Sequence, residues 1–215
     1  MKKIFSLILS LSFILSGVFS LRTFANENLL EAEYQDHEIY EETEDNNGEE
    51  NIEVNKHTFE EFVQIILNDQ NIPEEKKMEL ILEINIKERS RISYDYWTIY
   101  ATCKVTDEYK CRPYFYTYSS FLSGGYPNSI EQVLYANIDR NCNGISKQFA
   151  GTLYYKLEAA NKLYWDLNGD FYNNGSTTIG GGASIGIGES SSINLQVSYS
   201  SNHYAYCHES GRITF

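Results

Sequence analysis

Tyrosine is the most prominent candidate for ligand chemistry in this sequence. Sixteen of the 18 tyrosines lie within residues 93–215. Several alternate with apolar residues, so one face of a strand would carry tyrosine rings. Each ring has an apolar body that can stack on a sugar and a hydroxyl that can hydrogen-bond. We therefore predict that an aromatic face binds a cell-surface or cell-wall ligand, such as a glycan. Its residues are Tyr94, Tyr96, Tyr114, Tyr116 and Tyr118.

The same tyrosines have a structural interpretation. Tyrosine is common in strands, and a helical pair elsewhere in the chain needs a partly apolar surface to cover. Rings beneath those helices would form a second core instead of a ligand surface. The sequence leaves both interpretations open.

A serine between glycines resembles the nucleophile of a hydrolase. Residues 182–186 match the G-x-S-x-G pattern around Ser184, and Glu189, His203 and His208 follow it. That mechanism needs the serine on a sharp turn between a strand and a helix. Here small and apolar residues alternate as in a continuous strand, and no helix-forming segment follows. We expect a non-catalytic protein, with a small secreted serine hydrolase as a minor alternative.

Two segments rich in aspartate and asparagine match part of a calcium loop. Asp139, Asn141 and Asn143 occupy the first, third and fifth positions of one segment, but Ala150 stands where a bidentate glutamate should complete the shell. Polar turns have the same composition because these side chains bond their own backbone. We predict no cofactor, with weak calcium binding left open. The second partial match contains Asp166, Asn168 and Asp170.

The first 25 residues have the features of an export signal. Lys2 and Lys3 precede an apolar run over residues 4–19, and a short cleavage motif ends at Ala25. We predict that residues 1–25 are a cleaved signal peptide and that the protein is secreted. A retained membrane anchor is the alternative.

Export would place the four cysteines in an oxidising compartment, where cysteines usually pair. A short hairpin would place Cys103 opposite Cys111, and Cys142 would then pair with Cys207. We predict these two disulfides, although four cysteines permit three connectivities.

Charge separates a first segment from the remainder of the chain. Residues 26–57 contain 12 acidic residues and one lysine, in a chain whose net charge is −13. High charge with few apolar residues is typical of disorder, so we predict an acidic disordered arm. The sequence has no basic stripe that could neutralise phosphates, which argues against nucleic-acid binding.

Residues 58–92 have a helical pattern. Thr58 and Glu61 form a capping box, and apolar residues at helical spacing continue to about Asn68. Pro73 would begin a second helix. Such short amphipathic helices must pack on the rest of the chain to bury their apolar faces. The predicted inward residues of the second helix are Met78, Ile81, Leu82 and Asn85.

Residues 93–215 alternate with a period of two. Six or seven short runs are separated by turns that include Asn143, Asn168 and Asn174, each followed by glycine. We predict a mostly β protein with an N-terminal α-helical hairpin, in which an antiparallel β-sandwich or barrel-like domain is tied by disulfides. Residues 129–138 have a short helix as their alternative structure.

Residues 178–200 suggest a membrane-active function. Two alternating runs flank a polar tip at 189–191, as in the inserting hairpins of pore-forming proteins. A transmembrane strand needs about 9 to 11 residues, and these runs only just reach that length. Their apolar face would suit a soluble core equally well. A membrane-active toxin or bacteriocin-like factor is therefore our second functional hypothesis, and membrane contact stays open.

Overall fold

A computed structural model of the chain describes residues 52–89, 94–120, 129–179, 182–199 and 202–214. The predicted signal peptide and most of the predicted acidic arm lie outside these ranges. Neither helix of the described part has the length and apolar character needed to cross a membrane.

Two helices and 13 strands fall within the described residues. The helices are α1, Phe59–Asn68, and α2, Glu74–Glu88. The strands are β1 Ile52–His57, β2 Tyr94–Ala101, β3 Cys103–Lys104, β4 Lys110–Ser120, β5 Gln132–Asp139, β6 Asn141–Cys142, β7 Ile145–Ser146, β8 Gln148–Ala159, β9 Lys162–Tyr172, β10 Ser176–Ile179, β11 Ile185–Gly186, β12 Ser190–Ser198 and β13 His203–Thr214.

The strands form two antiparallel sheets that pack face to face. The first sheet has the order β1, β2, β4, β5, β11, with β3 beside β4. The second has the order β10, β12, β8, β9, β13, and β6 with β7 forms a short hairpin. Neither sheet closes into a barrel within the described residues. The prediction of a mostly β chain with two helices and antiparallel sheets is confirmed.

The main core lies between the two sheets. Every second residue of a strand points to the same face, so both sheets contribute alternate side chains. Ile99 and Phe115 come from the first sheet, and Leu153 and Trp165 come from the second. All four side chains are fully buried.

Strands β8 and β9 each contain a glycine that makes room for Phe149. Gly151 pairs with Gly169 across the two strands. A Cβ atom at either position would lie 2.7 Å from Cζ of the Phe149 ring. A larger residue at either position would therefore force the ring or the backbone to move.

A second core lies between the helices and the outer face of the first sheet. Phe62 and Ile66 of α1 and Leu80 and Ile84 of α2 are buried there, against tyrosines of β2 and β4. Because each helix buries one face against the sheet, the sheet supplies the apolar surface that such short helices need.

The helix starts agree with the sequence prediction. The Thr58 hydroxyl accepts a hydrogen bond from the Glu61 N–H, and the Glu61 carboxylate accepts one from the Thr58 N–H. Pro73 stands at the N-cap of α2. The capping box and the proline therefore begin the two helices as predicted.

The predicted inward face of α2 is only partly correct, because Ile81 packs against the second core but Met78 and Leu82 do not. Met78 and Leu82 are 49% and 63% exposed, whereas Leu80 and Ile84 are buried. Apolar residues occur on several sides of this helix, so its sequence does not select one face. Polar contacts with the sheet fix its rotation instead, since Lys87 donates to the Tyr118 hydroxyl at 2.7 Å.

Two segments have a different structure from the one predicted. Residues 52–57 were predicted to belong to the acidic arm, but they form β1, which pairs with β2 along its whole length. The helical alternative for residues 129–138 is also wrong, because most of this segment belongs to β5. In both segments a sheet partner supplies the hydrogen bonds that decide the structure.

The described residues of the segment 178–200 do not form one continuous hairpin. Strand β10 pairs with β12 in the second sheet, but the intervening β11 pairs with β5 in the first sheet. The chain therefore crosses between sheets within this segment. Ile193 and Leu195 of β12 are buried in the core between the sheets.

All four cysteines are free thiols in the structure, so the two predicted disulfides are not present. Cys103 does lie opposite Cys111 in the β3 and β4 register, as predicted. Cys207 faces the core between the sheets, where burial and the neighbouring Cys111 raise its pKa to about 12. Cys142 lies in the β6 and β7 hairpin. Pairing along β9 fixes the position of Cys207 opposite Gly169, a constraint that the sequence did not reveal.

Candidate functional site

The five tyrosines predicted to bind a ligand lie on the side of the first sheet that the helices cover. Tyr96, Tyr114, Tyr116 and Tyr118 are buried, and Tyr94 is partly buried. These rings therefore contribute to the second core, as the structural interpretation predicts. They do not form an open sheet face among the described residues.

Tyrosine hydroxyls attach α2 to the sheet. Tyr96 donates to the Glu88 carboxylate at 3.1 Å, and Tyr118 accepts a hydrogen bond from the Lys87 ammonium at 2.7 Å. The Lys87 ammonium also lies 4.2 Å from the centre of the Tyr118 ring. Burial first, and then the Glu88 carboxylate, raise the pKa of Tyr96 above its usual value. These phenols therefore remain neutral donors at ordinary pH.

Asp69 is the corresponding attachment point for α1, whose C-cap it forms. One carboxylate oxygen, Oδ2, accepts the hydroxyls of Tyr114 and Tyr116 at 2.5 and 2.9 Å. The other oxygen, Oδ1, accepts the Asn71 N–H at 2.8 Å. Burial first, and then the Asp69 charge, raise the pKa of both tyrosines. Both phenols thus stay protonated and hold the end of α1 against β4.

A cavity of about 460 Å³ lies beside this attachment point. The end of α1, its connection to α2 and the strands β2, β4, β5 and β6 all contribute residues to its lining. Much of that lining is polar, and five of its polar side chains make no side-chain hydrogen bond to another described residue. These five are Gln64, Asn68, Gln70, Tyr100 and Asn141. All of these except the partly buried Tyr100 are exposed to solvent, so the cavity is open and its polar groups are accessible to a ligand.

The aromatic wall of the cavity is held in place by its neighbours. The Arg112 guanidinium carbon lies 4.7 Å from the centre of the Tyr100 ring. The centres of the Tyr100 and Tyr114 rings are 5.9 Å apart. Arg112 also donates to Asp139 at 2.8 Å. Burial raises the pKa of Tyr100 despite the opposing positive charge of Arg112. A ligand in this cavity would therefore meet a neutral hydroxyl on a fixed ring.

The first partial calcium loop is a polar turn. Asp139 accepts the Asn141 N–H at 3.0 Å, which closes the start of the turn. Asn143 and Gly144 then adopt positive φ angles of 51° and 76°, as a tight hairpin requires. Within the described ranges, no group of three metal-ligating side chains comes together.

The second partial calcium loop lies along a strand. Asp166, Asn168 and Asp170 belong to β9, where residues two apart share one face. Each bonds a side chain of β13 across the sheet, at 2.8 to 3.1 Å. Their partners are His208, Tyr206 and His203, in that order. These oxygens stabilise a strand pair and do not converge on one point.

The structure does not assemble the serine hydrolase arrangement. The Ser184 hydroxyl accepts a hydrogen bond from Gln132 at 2.6 Å. His203 and His208 instead bond aspartates on β9 of the other sheet. The Glu189 carboxylate accepts a backbone N–H within its own turn. Serine, histidine and acid therefore have separate partners.

Sequence reasoning missed the cavity. Its polar lining comes from segments far apart in the chain, so only the folded sheet brings Tyr100 and Asn141 near the end of α1. One local signal was available, because residues 68–71 read Asn-Asp-Gln-Asn, a highly polar connection between two amphipathic helices. Polar loops on rigid elements often carry function.

No protein-family model, curated protein or solved structure matches the chain. The function is therefore inferred from the geometry and chemistry of the described residues.

Proposed function

We propose that this chain is an exported, non-catalytic binding protein that takes a small carbohydrate in the cavity beside Asp69. The unpaired side chains of Gln64, Asn68, Gln70 and Asn141, together with the Tyr100 hydroxyl, are the observation that carries the proposal. Like the sequence-based prediction, this proposal assigns an aromatic binding site for a cell-surface ligand. The site, however, lies at the edge of the helical layer and not on the open face of a sheet.

The chemistry of the lining favours a sugar. Every sugar hydroxyl both donates and accepts a hydrogen bond, and a side-chain amide offers both functions on one planar group. An anion would be disfavoured by the carboxylates of Asp69 and Asp139 in the lining. A metal cation would have to displace existing partners, since Asp69 already binds two phenols and Asp139 binds Arg112.

The size of the cavity agrees with a small ligand. Small-molecule sites usually enclose about 300 to 1,000 Å³, and this cavity lies near the lower end of that range. We therefore expect a ligand of mono- or disaccharide size, or the terminal sugars of a longer glycan.

The occupied carboxylates also support binding without turnover. A general acid or base must exchange a proton with the substrate, so it needs an accessible position on its carboxyl group. Both oxygens of Asp69 accept hydrogen bonds from the protein, and the same is true of Asp139. In this proposal the two aspartates orient the walls of the site.

Export is part of the same proposal, supported by the leader-like residues 1–25. In an oxidising compartment we expect Cys103 and Cys111 to form a disulfide, because they lie directly opposite each other in the register. Cys142 and Cys207 would remain thiols. Mass spectrometry of secreted protein should therefore show loss of the leader and one disulfide. An intact leader or four free thiols would contradict this part of the proposal.

Calorimetric titration against a panel of neutral and N-acetylated mono- and disaccharides tests the binding site. We expect at least one sugar to bind, and Gln64→Ala combined with Gln70→Ala to weaken it by about tenfold or more, since two amide hydrogen bonds are lost. Both side chains are exposed, so the variant should remain folded. The matched control is Gln196→Ala on β12, which should bind as the parent does. Absence of binding to the whole panel, or equal binding by all variants, would rule out this site.

A further inference from the structure

Helix α2 carries an exposed apolar stripe on the side away from the sheet. Met78, Leu82 and Ile86 are 49%, 63% and 63% exposed. Their spacing of four residues places them along one helical face, whereas Leu80 and Ile84 pack towards the sheet. None of the three lines the cavity beside Asp69. The exposed stripe is therefore separate from the proposed sugar site.

A charge of opposite sign stands at each end of the stripe. Glu75 precedes Met78 by three residues, and Arg89 follows Ile86 by three residues. Both are exposed, and neither makes an ion pair with another described residue. Arg89 keeps helical backbone angles, with φ −77° and ψ −9°, so it continues the same face. The stripe therefore reads acid, apolar, apolar, apolar, base.

The spacing along this stripe is symmetric about Leu82. Successive members are three, four, four and three residues apart, so the pattern is the same in both directions except for the sign of the end charges. A two-fold interface requires such symmetry. If one residue of the first copy contacts a second residue of the other copy, the reverse contact must also form. Because the two ends of the stripe carry opposite charges, each acidic end meets a basic end when two copies lie antiparallel, and the copies attract each other.

We propose that the chain forms a homodimer in which two α2 helices pack antiparallel around a two-fold axis at Leu82. Met78 then packs against Ile86 of the partner subunit, and Glu75 pairs with Arg89 of the partner subunit. The helix dipoles also run in opposite directions, which favours the pairing. The stripe shares no residue with the cavity beside Asp69, so, if the proposed sugar site holds, one particle would carry two such sites and bind multivalent glycans more tightly.

A second copy fits this stripe better than a lipid surface does. Glu75 offsets the charge of Arg89 and the Lys76 ammonium is paired with Glu79 at 3.0 Å, so the helix offers no basic cluster to attract anionic headgroups. The symmetric pattern has no role in membrane binding, whereas a two-fold interface uses every position of it.

Sedimentation of the purified full chain tests the proposal through charge reversal. We expect a concentration-dependent dimer. Glu75→Arg alone and Arg89→Glu alone should each weaken it by about tenfold or more, because each variant creates two like-charge contacts per dimer. An equimolar mixture of the two variants should restore dimers, since every contact in the mixed pair is again attractive. The double variant should behave like the parent.

A cysteine crosslink tests the position of the axis. A short bis-maleimide should join two copies of Leu82→Cys, because this position meets itself across the axis. Lys104→Cys, on an exposed part of β3, is the matched control and should not crosslink. A chain that is monomeric at about 100 μM would overturn the proposal. So would a dimer whose strength is unaffected by the charge reversals, or whose Leu82→Cys form fails to crosslink.

Discussion

The two buried layers of this protein are held together by different kinds of contact. Between the sheets, most side chains, such as Leu153, Phe115 and Trp165, pack by shape, and the Trp165 Nε1–H has no hydrogen-bond partner. The exceptions are Tyr109 and Tyr155, whose hydroxyls donate to backbone carbonyls. Between the helices and the first sheet, a row of tyrosines packs by ring, and the hydroxyls of Tyr96, Tyr114, Tyr116 and Tyr118 also donate hydrogen bonds. Asp69 and Glu88 are among the acceptors.

This difference explains how polar helices can be attached to a sheet. Tyrosine gives the sheet an apolar surface, and its hydroxyls reach the charged groups that α1 and α2 bring with them. The row continues to Tyr100, whose hydroxyl bonds no described residue and faces the candidate sugar site. The same residue type thus builds a core where helices cover it and lines the candidate binding cavity where they end.

High pH should produce the largest difference in stability between the helical layer and the paired sheets. Burial raises the pKa of Tyr114 and Tyr116 in the folded chain, so their contribution to stability is complete below pH 10 and is lost as the pH rises above 10. For each such phenol, the free energy of unfolding should fall by about 1.4 kcal/mol per pH unit above pH 10. Burial also raises the pKa of Tyr109 and Tyr155 between the sheets, but more of the affected tyrosines lie in the helical layer. Circular dichroism at 222 nm, followed together with phenolate absorbance, should therefore show the helices lost before the sheets. The Tyr114→Phe and Tyr116→Phe double variant should show a shallower pH dependence. One simultaneous transition would mean that both layers unfold as a single unit.

Truncation of Trp165 should give the next largest effect, this time in the layer that packs by shape. Trp165→Ala removes a fully buried ring and should lower the free energy of unfolding by about 3 to 5 kcal/mol. Trp165→Phe is the control and should cost much less, because its missing indole N–H makes no hydrogen bond in the structure. Urea denaturation measures both. Equal losses in the two variants would indicate a polar role for the indole and weaken the contrast between the layers.

Removal of Asp69 should have a smaller effect, confined to the helical layer. Asp69→Ala leaves the buried hydroxyls of Tyr114 and Tyr116 without their acceptor, which should cost about 2 to 3 kcal/mol. Asp69→Asn keeps an acceptor oxygen and should cost less. Hydrogen exchange should accelerate in α1 and α2 and stay unchanged in β8 and β9. Faster exchange in both regions would show that the attachment also supports the second sheet.

The sequence predicted correctly the features that depend on residues close together in the chain, and it failed for those that depend on residues far apart. The Thr58 capping box and the alternating strands are local patterns, and they predicted the start of α1 and the antiparallel sheets. Residues 52–57 and part of the inward face of α2 were misassigned because partners distant in the chain decide them: β2 for the former, and Tyr118 with Tyr96 for the latter. The cavity is the extreme case, since its lining comes from four separate parts of the chain: 64–71, 100, 114–116 and 139–141. Its one local signal was the polar connection at residues 68–71.

Loss of the α1 cap should give the smallest effect and the most local one. Thr58→Ala removes the acceptor of the Glu61 N–H, which should cost about 1 kcal/mol, whereas Thr58→Ser keeps the hydroxyl and should change stability by only a few tenths. Thr58 lies at the opposite end of α1 from Asp69, so the cavity should keep its affinity for sugar. Hydrogen exchange should speed up in the first turn of α1 alone. A fall in sugar affinity as well would mean that loss of the cap shifts the whole of α1. The hydrogen bonds from Tyr114 and Tyr116 to Asp69 would then be too weak to hold the C-terminal end of the helix in place.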